Sequence, residues 1–146
     1  MKSPQAQPVP RLSTVRLFVP FLFWLVVIFA LSAYPKAIIP QSKYISWDKL
    51  AHIAEFGILG YLAARTAFFS GHRWISSKFV QATIFFGVFY AASDEWHQLH
   101  VPGRWASPFD LLADSIGVVV GLLIFLQVTR SLRSRMAYKN IEPYNS

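Results

Sequence analysis

The chain has 146 residues, of which 54% are hydrophobic, 16% aromatic and only 14% charged, with thirteen Phe and five Trp. That load exceeds what a soluble domain of this size normally carries and suits a bilayer. With no cysteine, disulfides and thiolate metal sites are excluded. The formal charge of +7 sits mostly at the ends of apolar runs, with no basic helix or aromatic-basic platform, so nucleic acid is not expected as a partner.

The Pro- and Gln-rich start, within residues 1–16, reads as a disordered cytoplasmic N-terminus. A first apolar segment follows at about 17–34 (LFVPFLFWLVVIFALSAY) and carries no charge. It is longer and more aromatic than the apolar region of a usual signal peptide, so it is read as a retained span. Further spans are expected at about 50–69, 79–97 and 109–129, since crossing the hydrocarbon takes about 20 residues. The last two reach that length only when their acidic ends are included. Residues 130–146 form a basic tail, read as a topology anchor. The expected fold is all-α: one transmembrane domain over 17–129, an integral membrane four-helix bundle.

Charge asymmetry sets an expected orientation. Lys2, Arg11, Arg16, Arg73, Lys78, Arg130, Arg133, Arg135 and Lys139 share one side, whereas Lys36, Lys43, Lys49 and Arg104 share the other. The positive-inside rule then places both termini in the cytoplasm of a multi-pass protein of the cell inner (plasma) membrane, N-in and C-in, with the lipid bilayer as its first partner.

On that topology, Asp48, Glu55, Asp94, Glu95, Asp110 and Asp114 all fall at the extracytoplasmic end, together with His52, His97 and His100; only Glu142 lies elsewhere. Helical spacing puts Asp48, His52 and Glu55 on one stripe of the second span. Asp94, His97 and Gln98 form another on the third, with Glu95 turned roughly 100° away. On the fourth span Asp110 and Asp114 share a narrow arc with Gly117 and Gly121, small residues that let helices approach closely in lipid. Burying such acids requires partners, and Lys49, Arg104 and the histidines are the candidates. Ser107-Pro108-Phe109-Asp110 also has the form of a helix start, with an N-cap serine, proline at the first position and an acid at the third, so Asp110 has a structural reading as a capping acid. His100, past the third span, reads as a loop residue.

Three kinds of chemistry suit this set. The nitrogen and oxygen donors are of metal-ligand type, but no His-Glu-x-x-His signature is present and neither His52-x-x-Glu55 nor Glu95-x-His97 is specific, so no metal site and no cofactor is assigned. Carboxylates and histidine at different depths suit general acid–base work on a lipid-linked headgroup, with His52, Asp94, Glu95 and Asp114 as its hydrogen-bonding core. Arg104 and Lys49 would meet an anionic group there, with Asp48, Glu55, His97, Gln98, Ser107 and Asp110 completing the binding set. The third reading is a network that only braces the helices, as in a subunit of a membrane assembly. No serine or cysteine nucleophile is recognisable.

The pattern Asp48-Lys49-x-x-His52-x-x-x-Phe56, then Ser93-Asp94-Glu95-x-x-Gln98, then Pro102-Gly103-Arg104-x-x-Ser107-x-x-Asp110-x-x-x-Asp114-x-x-Gly117 resembles the VanZ-like family of small bacterial membrane proteins. The likeness covers about residues 48–121. Asp114 departs from it, since many members carry Asn at that place, and adds a titratable group. The resemblance implies a role in the cell envelope. The family's namesake is associated with resistance to teicoplanin, a lipoglycopeptide that binds peptidoglycan precursors outside the membrane. A lipid-linked cell-wall precursor or a lipoglycopeptide is therefore the partner it suggests for an outward-facing polar pocket.

Overall fold

A computed structural model describes residues 13–34 and 47–139. The expected disorder of the first residues (1–12), the placement of Lys36 and Lys43, and the end of the basic tail with Glu142 lie outside the described residues. Among the described residues the chain is all helix, with no strand: α1 (Thr14–Ser32), α2 (Trp47–Phe69), α3 (Arg73–Ser77), α4 (Phe79–Gln98) and α5 (Pro108–Lys139).

Five helices stand where the sequence led us to expect four. The extra one, α3, is a single short turn in the loop between α2 and α4. Gly71, at φ 77°, turns the chain out of α2. The Ser76 amide and hydroxyl then both reach the His72 carbonyl, each at 2.9 Å. A helix of five residues carries no periodicity to read. At the other extreme α5 runs to Lys139, ten residues past the expected end of the fourth span at 129. No Gly or Pro occurs between Arg130 and Glu142 to stop it.

Two helices have the length and apolar composition to cross a membrane: α1 and the Pro108–Leu132 part of α5, each with a mean hydropathy of 2.3. The sequence-based expectation of four such spans is met in length by α2 and α4, but not in composition. Asp48, Lys49, Glu55 and Arg65 dilute the first, and Asp94 and Glu95 the second.

The closest packing joins α2 and α5 through glycine. A Cβ on Gly117 would lie 2.6 Å from the Ile53 carbonyl oxygen, and one on Gly121 would lie 2.6 Å from the Tyr61 amide nitrogen. From the facing side, a Cβ on Gly60 would lie 2.8 Å from the Val118 Cα. These backbones touch because one partner in each contact is a glycine with no side chain to hold the helices apart. α4 closes over the seam, and Ile28, Phe56, Leu59, Ala91 and Val118 form the central core. Ala64, Leu122 and Phe125 form a second cluster, where Phe68 meets Phe79 edge-on at 5.1 Å.

α1 is the least buried of the long helices; Ile28 anchors it in the core, and hydrogen bonds to its backbone hold it along its length. Thr66 Oγ1 donates to the Leu17 carbonyl (3.2 Å) and Tyr90 Oη to the Leu25 carbonyl (2.7 Å). Trp24 Nε1 donates in the opposite sense, to the Glu55 carbonyl at 2.9 Å. Pro20 lies inside α1 and has no amide hydrogen, which leaves the Arg16 carbonyl without its helical donor. Arg65 Nη1 takes that place at 3.1 Å. These contacts fix directions: α1 and α4 run toward the end that carries the carboxylates, whereas α2 and α5 start there.

Candidate functional site

The site is assembled where α2 and α5 begin, α4 ends, and the 99–107 loop connects them. All six described carboxylates, Asp48, Glu55, Asp94, Glu95, Asp110 and Asp114, lie at this end. The glycine seam is what carries the α5 pair inward. Gly117 sits one turn beyond Asp114, so seating the α5 backbone on α2 leaves Asp114 fully buried and Asp110 only 3% exposed.

Two interactions tie α2 to α5. Lys49 Nζ pairs with Asp110 Oδ1. His52 Nδ1 lies 2.9 Å from Asp114 Oδ1, with both side chains buried. Asp48 and Glu55 flank His52 on the same stripe and are half-buried.

On α4 the buried arc is wider than a single stripe, because this helix packs against both α2 and α5. Asp94, Glu95 and Gln98 are all buried, at 5%, 7% and 0% exposure. Gln98 Nε2 donates to Asp94 Oδ2 at 2.7 Å. Glu95, which helical spacing set apart from the stripe, belongs to the cluster; His97 does not share that arc. The His97 ring lies against Phe29 of α1, tilted by 36° with 4.4 Å between centroids. His100 is exposed and its Nδ1 stays within 3.0 Å of the Trp96 carbonyl.

The loop explains the start of α5. Val101-Pro102-Gly103-Arg104 is a type II turn, with the Arg104 amide donating to the Val101 carbonyl at 3.1 Å and Gly103 at φ 78°. Ser107 caps α5, its carbonyl accepting from the Asp110 amide at 2.9 Å, and Pro108 holds the first helical position. The capping reading gave Asp110 the role of the acid that reaches back to the cap. Instead Glu95 Oε2, from α4, accepts from the Ser107 amide at 2.7 Å, and Asp110 is turned to Lys49.

Arg104, read from sequence as an anion ligand, donates from Nε and Nη2 to the Tyr34 and Leu31 carbonyls, both at 3.0 Å. Those carbonyls end α1, so the guanidinium caps that helix. Lys49 and Arg104 are thus both engaged within the chain. What the site leaves open is mostly of the opposite kind. Glu95 Oε1, Gln98 Oε1 and Asp114 Oδ2 are buried acceptors without a hydrogen-bond partner among the described residues, as is His97 Nε2. Two sets of three could each converge on one ion, with one ligand atom per residue lying within 4.8 Å of the others: Asp48, His52 and Asp110, and Asp94, Glu95 and Asp114.

Sequence reasoning named these side chains but missed the α2 half of the seam. Gly57, which faces Gly117 and Gly121, and Gly60 three residues on, which faces Val118, are the signal that would have found it.

The family model described as VanZ/LLP1 matches residues 3–130. No curated protein and no solved structure matches the chain.

Proposed function

The chain belongs to the VanZ/LLP1 family, and from that premise we propose that it is a multi-pass protein of the cell inner membrane whose polar end faces outward and binds a wall-directed ligand. The single observation that carries this reading is the gathering of all six described carboxylates at one end of α2, α4 and α5. α2 and α4, with 23 and 20 residues, are about 35 and 30 Å long, sufficient to span. Phe85 and Phe89 on α4 are 77% and 65% exposed, as lipid-facing side chains would be. Trp47, Trp96 and Trp105, exposed around the carboxylate end, suit the headgroup layer there. Arg16, Arg65, Arg73, Lys78 and Arg130 at the other end support the reading of a four-helix bundle with both termini, and α3, on the cytoplasmic side.

Because the unpaired groups of the site are chiefly acceptors, the ligand it suits presents donors: the amide, hydroxyl and ammonium groups of a lipid-linked cell-wall precursor or of a lipoglycopeptide. Glycopeptide tolerance of the teicoplanin type follows as the cellular role. The test is teicoplanin susceptibility of cells making wild-type chain, Glu95→Gln or His52→Ala at matched abundance. Loss of protection in the variants supports the reading, and full protection by both refutes it.

The buried His52–Asp114 pair favours a second reading, acid–base chemistry on a lipid-linked headgroup, since a carboxylate fixes the tautomer and orientation of the imidazole. Under this reading Glu95→Gln abolishes turnover of such a headgroup while the variant keeps its melting temperature. A network that only braces the helices would lose abundance instead.

A further inference from the structure

We infer that Asp94, Glu95 and Asp114 form a binding site for one hard divalent cation of the Ca2+ or Mg2+ type, joining α4 to α5. Each carboxylate is fixed through one oxygen by a donor of the protein. Asp94 Oδ2 accepts from Gln98, Glu95 Oε2 from the Ser107 amide, and Asp114 Oδ1 faces His52 Nδ1. Such outer partners are what orient metal ligands. Of the remaining oxygens, Glu95 Oε1 and Asp114 Oδ2 are buried with no partner among the described residues. Gln98 Oε1, on a fully buried side chain whose Nε2 is bonded to Asp94, is a further acceptor without a partner among the described residues.

Charge and spacing agree with this assignment. The three acids are at most 7% exposed, and among the described residues the basic side chain in hydrogen-bond range of them is His52. Lys49 is committed to Asp110, and the two Arg104 nitrogens described above point at α1. Burying three carboxylates without compensation is costly, and unpaired acceptors add to that cost. One ligand atom from each acid lies within 4.8 Å of the others. Two oxygens on opposite sides of Ca2+ stand about 4.6–5.2 Å apart, and on opposite sides of Mg2+ about 4.0–4.2 Å. The donors are all oxygen, which favours these ions and Mn2+ over zinc or copper. The neighbouring set of Asp48, His52 and Asp110 is the weaker candidate, because the Lys49 ammonium already holds Asp110.

The site does not depend on which way the chain faces or on an external ligand. The experiment uses the full chain purified in detergent, treated with a chelator and titrated separately with Ca2+, Mg2+ and Mn2+. Calorimetry and thermal melting read the first two, and electron paramagnetic resonance reads Mn2+. Saturable binding of one ion per chain with a raised melting temperature is expected. Glu95→Gln and Asp114→Asn should each weaken binding by about tenfold or more. Without cation both variants should melt no lower than the metal-free wild type, since each removes a like charge. Absence of binding and of any melting shift with all three ions at millimolar concentration overturns the assignment, as does an unchanged affinity in both variants. Should a variant fail to fold, the wild-type titration alone decides between these outcomes. Teicoplanin protection lost in Glu95→Gln without any cation binding would overturn this site and leave the proposed function standing.

Discussion

Replacing Gly117 by alanine adds one methyl group where two backbones already touch. The new carbon would lie 2.6 Å from the Ile53 carbonyl oxygen and 3.0 Å from the Gly57 amide nitrogen. A carbon settles against such an oxygen at about 3.3–3.6 Å, so α2 and α5 must part locally by roughly 0.7–1.0 Å. One turn away the His52–Asp114 separation of 2.9 Å would stretch past hydrogen-bond range. Overpacking costs about 1–3 kcal/mol, and the lost hydrogen bond about 1 kcal/mol. Alanine's better helix propensity returns about 1 kcal/mol, leaving a net loss of about 1–3 kcal/mol. Gly57→Ala is the matched control on the facing helix. Its Cβ would meet the Gly117 carbonyl oxygen at 3.6 Å, an ordinary contact, so it keeps the propensity gain and should be neutral or stabilising. Equilibrium unfolding of both variants in one detergent measures the contrast. If Gly57→Ala falls as far as Gly117→Ala, or Gly117→Ala unfolds like wild type, the close backbone seam is not what seats Asp114.

Lys49→Met leaves Asp110 buried and unpaired and should destabilise by about 1–3 kcal/mol, with much of the loss recovered in Lys49→Met/Asp110→Asn; a double-mutant cycle measures the coupling. Arg104→Lys should not rescue Arg104→Ala, because a single ammonium does not reproduce a fork that reaches both the Leu31 and Tyr34 carbonyls. Faster amide exchange over the last turn of α1 in both variants is the readout. Pro20→Ala restores an amide donor for the Arg16 carbonyl, so Arg65→Met should cost about 0.5–1.5 kcal/mol less in that background than in wild type. Single cysteines introduced at Ser107 and Ser76, in a chain that has none of its own, should react with an impermeant reagent from outside and from inside respectively.

The long helices and the clustering of acids were legible because both follow from one-dimensional patterns: apolar runs give the helices, and the acids mark one end of three of them. What stayed hidden depends on partners from elsewhere in the chain. Asp110 carries the spacing of a capping acid, yet Lys49 competes for it, and Glu95 reaches the Ser107 amide from another helix. Glu95 looked misaligned with its own stripe because a stripe assumes one facing neighbour, whereas the polar end of α4 faces both α2 and α5. Arg104 looked available to an anion, since nothing in Pro-Gly-Arg reveals that the end of α1 lies beside it. The short α3 and the long run of α5 were missed for opposite reasons, one helix too brief for a period and the other without a residue that stops it.

The way α1 is fastened has a consequence for how freely it can change. Apart from Trp24, the hydrogen bonds described above grip it by its carbonyls, at Arg16, Leu17, Leu25, Leu31 and Tyr34, and a carbonyl is the same whatever side chain it belongs to. On its hydrogen-bonded side the chain therefore recognises the shape of a helix, whereas Ile28 and the rings of Phe21 and Phe29 supply the part of the joint that depends on sequence. Val19, Leu22, Phe23 and Val26, exposed on the opposite side, take no part in that grip. The specificity of the grip is written instead in Arg65, Thr66, Tyr90 and Arg104, on the elements that do the gripping.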